Sequence, residues 1–219
     1  MLTMQENWNE WAGDARPHGL RQELAAAAAA LIAEEGLDYA SAKRKAYDRA
    51  TGGHGSRLAK QDLPSNEEVE DALREYQQIF QADHQPQRLA SLRQKTLALM
   101  QLLSDFRPMT SGAIVNGTAS DHTDIHIQCY ADNAKALGFF LLDQSIDSEA
   151  TELEGDSRSG RGRQQRVEAL VIQWQGELAI ISVYPETDQR MAQKTDSRGR
   201  LLRADIAGLA QLIEDTQPK

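Results

Sequence analysis

Cysteine is nearly absent from this chain of 219 residues: Cys129 stands alone, so an intrachain disulfide and a cysteine-built zinc site are both excluded. Beside an apolar run, Cys129 itself reads as a small core residue. Long hydrophobic runs are missing too. The six alanines Ala25–Ala30 lie in an otherwise charged helix, and no window approaches the roughly 18 apolar residues of a membrane span. No basic-then-apolar pattern opens the chain, whose first residues are MLTMQENWNEW, so a signal peptide is not expected and a cytoplasmic location is. Nor is there an excess of positive charge. The formal charge of -9 argues against generic attraction to nucleic acid or anionic lipid, and any anion must be held by a local constellation. P-loop, dinucleotide fingerprint, nucleophile elbow, hydrolase triad and internal repeat are likewise absent.

What is present divides near residue 86. Residues 1–18 have few aliphatics and read as an arm whose Trp8 and Trp11 dock on the body. Leu20, Leu24, Ala28, Leu31 and Ile32 then recur at helical spacing, with Gly36 placed to stop the helix in the αL conformation. Asp38 is positioned to cap a second helix, striped by Tyr39, Ala42, Ala46, Tyr47 and Ala50 and charged by Lys43, Arg44, Lys45 and Arg49. GGHGSRLAKQD, residues 52–62, reads as a loop. Ser65 with Glu68 forms a capping-box pattern for a helix carrying Val69, Leu73, Tyr76 and Phe80. Pro86 marks the break before the next, whose stripe is Leu89, Leu92, Thr96, Leu99, Met100, Leu103 and Phe106, and Pro108 ends it.

The second half changes character. Asn133 is a cap for a helix with Leu137, Phe140 and Leu141 inward, after which the chain turns polar. Residues 154–166, EGDSRSGRGRQQR, hold no apolar side chain and are expected to be disordered or to order on an anion. Residues 169–174 and 178–184 are β-rich and separated by a turn at Gln175-Gly176-Glu177, a hairpin pattern. Asp205 is placed to cap a last helix through Ile206, Leu209 and Ile213.

Between these halves lies GAIVNGTASDHTDIHIQ, residues 112–128. It reads as a glycine-bearing turn leading into a short strand. Alternation along that strand puts Asp124, His126 and Gln128 on one face and Ile125 and Ile127 on the other.

This run resembles the signature of the polymerase-β-like nucleotidyltransferase superfamily. Gly-Ser, three residues, Gly-Thr-Ala and then Ser-Asp-Ile-Asp in its small bacterial members align without gaps to Gly112-Ala113 through Gly117-Thr118-Ala119 to Thr123-Asp124-Ile125-His126. The resemblance extends over roughly residues 88–184, because a helix before, a helix after and an apolar hairpin are what the family's mixed sheet requires. It implies an NTP bound along Gly112, Asn116, Gly117 and Thr118, with Arg158, Arg161 or Arg163 closing over the triphosphate. A divalent metal, Mg or Mn, would sit at the catalytic positions Asp124 and His126, where hard cations take oxygen ligands and bridge the phosphates.

Three departures accompany it. Ala113 replaces the family's serine, His126 replaces its second carboxylate and favours Mn over Mg, and no acid lies in residues 178–184, where Ser182 stands roughly at the third position. Glu177 and Asp132 are the acids that the fold could bring within metal reach of Asp124. Two further patterns bear on function. His122, Asp124 and His126 alternate in the manner of a transition-metal site, and the basic second helix followed by Arg57 and Lys60 has the layout of a helix-turn-helix module that meets nucleic-acid phosphates.

The expectation is therefore an α+β protein, with a helical region over residues 1–86 and a nucleotidyltransferase-like domain over residues 87–219. Its function reads as nucleoside monophosphate transfer from an NTP. The alternative is a non-catalytic protein that binds a nucleotide or nucleic acid.

Overall fold

A computed structural model describes residues 19–52, 63–131, 133–154, 166–186, 188, 195 and 198–216. The expected amino-terminal arm, most of the glycine-rich loop with Arg57 and Lys60, Asp132, and the arginine-rich residues 155–165 lie outside these. The architecture is α+β: a helical amino-terminal region precedes a mixed six-stranded sheet with its own helices. Contacts group the chain into two units, residues 1–86 with Ser120–His122, and residues 87–119 with 123–219. Among the described residues no helix is long and apolar enough to cross a membrane.

In the first unit, α1 (Leu20–Glu35), α2 (Tyr39–Ala50) and α3 (Asn66–Phe80) pack through small residues. The alanine run explains this. Ala25, Ala28, Leu24 and Leu31 of α1 meet Ala42, Ala46 and Val69, while Ala29 and Ala33 meet Leu73 and Tyr76, so α1 is buried from two directions. Side chains as small as alanine let helix axes approach closely, which a leucine-rich stripe would prevent. The helix ends are set locally. Asp38 accepts from the amides of Ala40 and Ser41 at 2.9 and 3.0 Å, bonds that also lower its pKa. Ser65 and Glu68 exchange the reciprocal capping-box bonds at 3.1 and 2.6 Å, and Arg21 grips the same carboxylate.

Gly36 stops α1 at φ 68°. A Cβ there would also stand 2.5 Å from the Cβ of His122, so glycine is required by conformation and by space.

In the second unit, α4 (Gln85–Leu102, entered at Pro86) and a short 3-10 turn (Ser104–Phe106) lead to β1 (Met109–Ser111). A four-residue helix α5 (Ala113–Asn116) leads on to β2 (Ile125–Tyr130), followed by α6 (Ala134–Asp143). Then come β3 (Ser148–Glu154), β4 (Arg166–Trp174), β5 (Glu177–Tyr184), β6 (Arg203–Ala204) and α7 (Ile206–Thr216). The sheet order is β3-β4-β5-β2-β1-β6, antiparallel throughout except for the parallel pair β2 and β5.

Ile125, Ile127 and Cys129 share one core with Ile181, Leu170 and Ile172. Leu92 and Leu99 of α4, Leu103 just after it, Leu137 and Leu141 of α6, and Leu209 of α7 belong to the same core, so these helices cover the same face of the sheet. The hairpin turn has Gln175 at φ 49° and Gly176 at φ 83°, the doubly left-handed pattern that matches strand twist.

Strand β3 departs from the sequence expectation of a polar stretch. SEATELE lacks alternation because β3 is an edge strand, mostly exposed, held by its register to β4, with Ala150 opposite Leu170. The same pairing places Glu154 and Arg166, the ends of the expected disordered segment, in strands.

Candidate functional site

The corner between β1 and β2 gathers most of the expected site residues, and the sheet register says how. Met109 faces Gln128 and Thr110 faces Ile127. The pairing ends at Thr110 with Ile127, and Gly112 follows β1 at the same end of the antiparallel pair at which Asp124 precedes β2. The Thr110 hydroxyl fastens the two strands by donating to the His126 carbonyl at 3.0 Å. Gly112 has φ 72° and ψ -144°, a conformation that side chains strongly disfavour, and no atom lies within 4 Å of where its Cβ would be. Glycine is thus demanded here by backbone geometry, and the space before it is open. Gly117 ends α5 in the left-handed region at φ 88°.

Two residues expected along a triphosphate also hold the turn. The Asn116 side-chain oxygen accepts from the Thr118 amide at 3.1 Å and from the Thr118 hydroxyl at 2.7 Å, and Thr118 is 3% exposed. The turn is further tied from below by Arg93, which the sequence reading passed over. This guanidinium, 5% exposed, donates to the carbonyls of Ile114 at 2.9 Å, Val115 at 3.4 Å and Leu212 at 3.3 Å, and to the Thr216 hydroxyl at 2.8 Å. It donates to carbonyls near the ends of two helices, the Leu212 carbonyl also accepting from the Thr216 hydroxyl at 2.5 Å. A cation four residues after Leu89 and three before Thr96, on the buried stripe of α4, was the signal that could have found it.

Strand β2 starts at Ile125, with Asp124 one residue before it. Ile125 and Ile127 are buried, His126 is accessible and Gln128 is half-buried, so the alternation is as expected. Enough protein nonetheless surrounds the His126 ring that loss of solvation lowers its pKa, with the charge of Asp124 opposing. The Gln128 side-chain oxygen is buried with no hydrogen-bond partner among the described residues. Cys129 is fully buried, and burial pushes its thiol up to about 12, so it is unreactive at neutral pH.

The parallel register supplies the test of the metal. His126 lies beside Ile180 and Gln128 beside Ser182, and one step before Ile125 and Ala179 brings Asp124 level with Leu178. None of these β5 neighbours is an acid. Glu177 is committed elsewhere: Arg88 bonds both its oxygens at 2.6 and 2.7 Å, and Lys95 adds a third contact at 2.6 Å. The Arg88 guanidinium first, then the Lys95 ammonium, hold the Glu177 carboxyl down to about 2. One carboxylate with one imidazole does not fit the paired-metal, three-carboxylate arrangement that the resemblance implies. Among the described residues no cluster of three His, Cys, Asp or Glu side chains could hold an ion.

Comparison with family models, with curated proteins and with solved structures returns no match to this chain. The site therefore rests on its own geometry.

The other candidate sites are occupied by structural contacts. The His122 ring bonds the Glu34 carbonyl at 3.2 Å, and Asp121 pairs with His84 at 2.9 Å, both within the first unit. Of the basic helix, Lys43 donates to the Pro64 carbonyl and the Asn66 side chain, and Lys45 and Arg49 both reach Glu35. Three of its four cations are thus spent inside the unit.

Proposed function

We propose that this chain is a nucleotidyltransferase-like protein whose β1–α5–β2 corner binds a nucleoside triphosphate, and that its present side chains serve binding in place of conventional metal-dependent transfer. One observation carries the reading. The glycine turn at Gly112 has open space before it and leaves β1 at the same end of the antiparallel pair at which Asp124 enters β2. The gapless signature in the sequence falls on that corner. His126 follows on the face of β2 turned from the core, where a neutral imidazole suits a polar base or sugar. The lone carboxylate supports binding over transfer, since a triphosphate needs counter-charge and transfer needs it at two points of the phosphate chain.

Calorimetric titration with ATP, CTP, GTP and UTP, with Mg²⁺, with Mn²⁺ and without metal, tests the proposal when paired with a pyrophosphate-release assay. Binding of at least one nucleotide, weakened by His126→Ala and unaccompanied by pyrophosphate release, is the expected result. If no nucleotide binds under any condition, the reading falls. Pyrophosphate release abolished by Asp124→Ala restores catalysis in its place.

A further inference from the structure

Helix α6 is apolar on two sides. Leu137 and Leu141 are fully buried, whereas Phe139 and Leu142 are 67% and 64% exposed. An amphipathic helix of a self-contained domain keeps its outer face polar, so two large apolar side chains facing water call for a partner. They line a groove of about 410 Å³ whose other walls include Ile146, Asp147 and Ser148, at the start of β3. Strand β3 ends the sheet, and among the described residues it pairs with β4 alone, leaving its outer edge of backbone donors and acceptors open.

The charge of this region is mostly negative, although Lys135 also lines the groove and Arg166 pairs with Glu152. Residues 143–154, DQSIDSEATELE, contain Asp143, Asp147, Glu149, Glu152 and Glu154 and no Lys or Arg. Asp143, Asp147 and Glu149 form no ion pair among the described residues, and Glu152 has one exposed pair with Arg166. By register Glu149 stands with Val171 and Glu152 with Glu168, so the acids fall on both faces of the strand.

We propose that the groove and the edge of β3 form a docking surface for an extended basic segment of another protein. Such a segment adds to β3 as a further strand, seats an apolar side chain against Phe139, Leu142 and Ile146, and places its cations on the other face beside Glu149. Charge decides the occupant. A second copy of this chain would lay five more acids against these five, and an anionic lipid surface would be repelled in the same way. A basic strand gains from every term: backbone pairing, apolar burial and charge.

The test uses the full chain and a fluorescein-labelled peptide of about seven residues that alternates valine or leucine with lysine or arginine. Anisotropy titrations at rising salt compare it with an analogue bearing glutamate at every cation and with a second bearing serine at every apolar position. The expected result is saturable binding that falls with salt, is lost with the acidic analogue, and weakens about tenfold or more in Phe139→Ser/Leu142→Ser. Both substituted side chains are exposed, and circular dichroism verifies the fold of the variant. Absence of binding, equal binding of the acidic analogue, or equal binding to the double variant overturns the proposal. So does sedimentation showing a wild-type dimer that the double variant dissolves, because the occupant is then a second copy.

Discussion

Replacing Glu177 by glutamine tests the central electrostatic claim about the second unit, that this carboxylate is a structural anion and not a displaced metal ligand. Glu177, Arg88 and Lys95 are 12%, 17% and 25% exposed at their side chains, so the three charges are largely shielded. The fall of the Glu177 pKa from 4.5 to about 2 spans about 2.5 pH units. At about 1.4 kcal/mol each, that is a ceiling of about 3 kcal/mol at neutral pH. Residual solvent screening reduces the expected cost of Glu177→Gln to about 2 kcal/mol, most of it from stranding two cations. The sign follows from the depressed folded pKa. The stabilisation is complete above the unfolded pKa, is lost as pH falls through 4.5 toward 2, and by pH 3.5 about two-fifths of the gap between wild type and variant has closed. Urea unfolding between pH 7 and 3.5 measures this, followed by exchange protection of the β4–β5 amides because a two-unit chain need not unfold in one step. A gap below about 0.5 kcal/mol at pH 7 is what an exposed pair would give. That result, or a gap that does not narrow with acid, refutes the reasoning.

Arg93→Met leaves the carbonyls of Ile114 and Val115 without their side-chain donor and takes one donor from Leu212, and is expected to cost about 3 kcal/mol, seen as a fall of roughly 6–12 °C in melting temperature. Arg93→Lys keeps the charge but not the fork and falls between. Gly112→Ala meets no atom, so its cost is backbone strain alone, about 1–3 kcal/mol by urea unfolding; a neutral result would mean that the turn relaxes freely. The His126 ring titrates below its ordinary 6.5, so its burial favours the fold above pH 6.5 and that contribution is lost as pH falls through the lower folded value. Asp124→Asn removes the opposing charge and is expected to move the His126 midpoint lower still in an NMR titration, whereas an unchanged midpoint would show that the two are not electrostatically coupled.

The parts of the fold that are legible in the sequence are those decided within a few residues. Asp38, Ser65 with Glu68, and Asn133 cap the helices expected of them because each reaches amides two or three positions on. Gly36 and Gly176 mark left-handed turns for the same local reason. Strand β3 was illegible because alternation is a signature of burial on one face, and an exposed edge strand has none to display. Strands β1 and β6, of three and two residues, are too short for any period to register and exist only through their partners.

The site divides along the same line. Its turn is local: Gly112, Asn116, Gly117 and Thr118 lie within seven residues of one another, and their backbone needs are written in their own identities. Its electrostatics are not. Glu177 reads as a spare acid near a predicted metal until the fold brings it Arg88 and Lys95 from 89 and 82 residues away. Arg93 reads as a surface cation until carbonyls from 21 to 119 residues off converge on it. Removing Glu177 from the candidate ligands and adding Arg93 beneath the turn leaves Asp124 with His126 as its titratable neighbour. Under the proposed function, Asp124 and a neutral His126 bring no positive charge to a polyanion, so binding there rests on the backbone amides of the turn and on a cation carried in with the nucleotide.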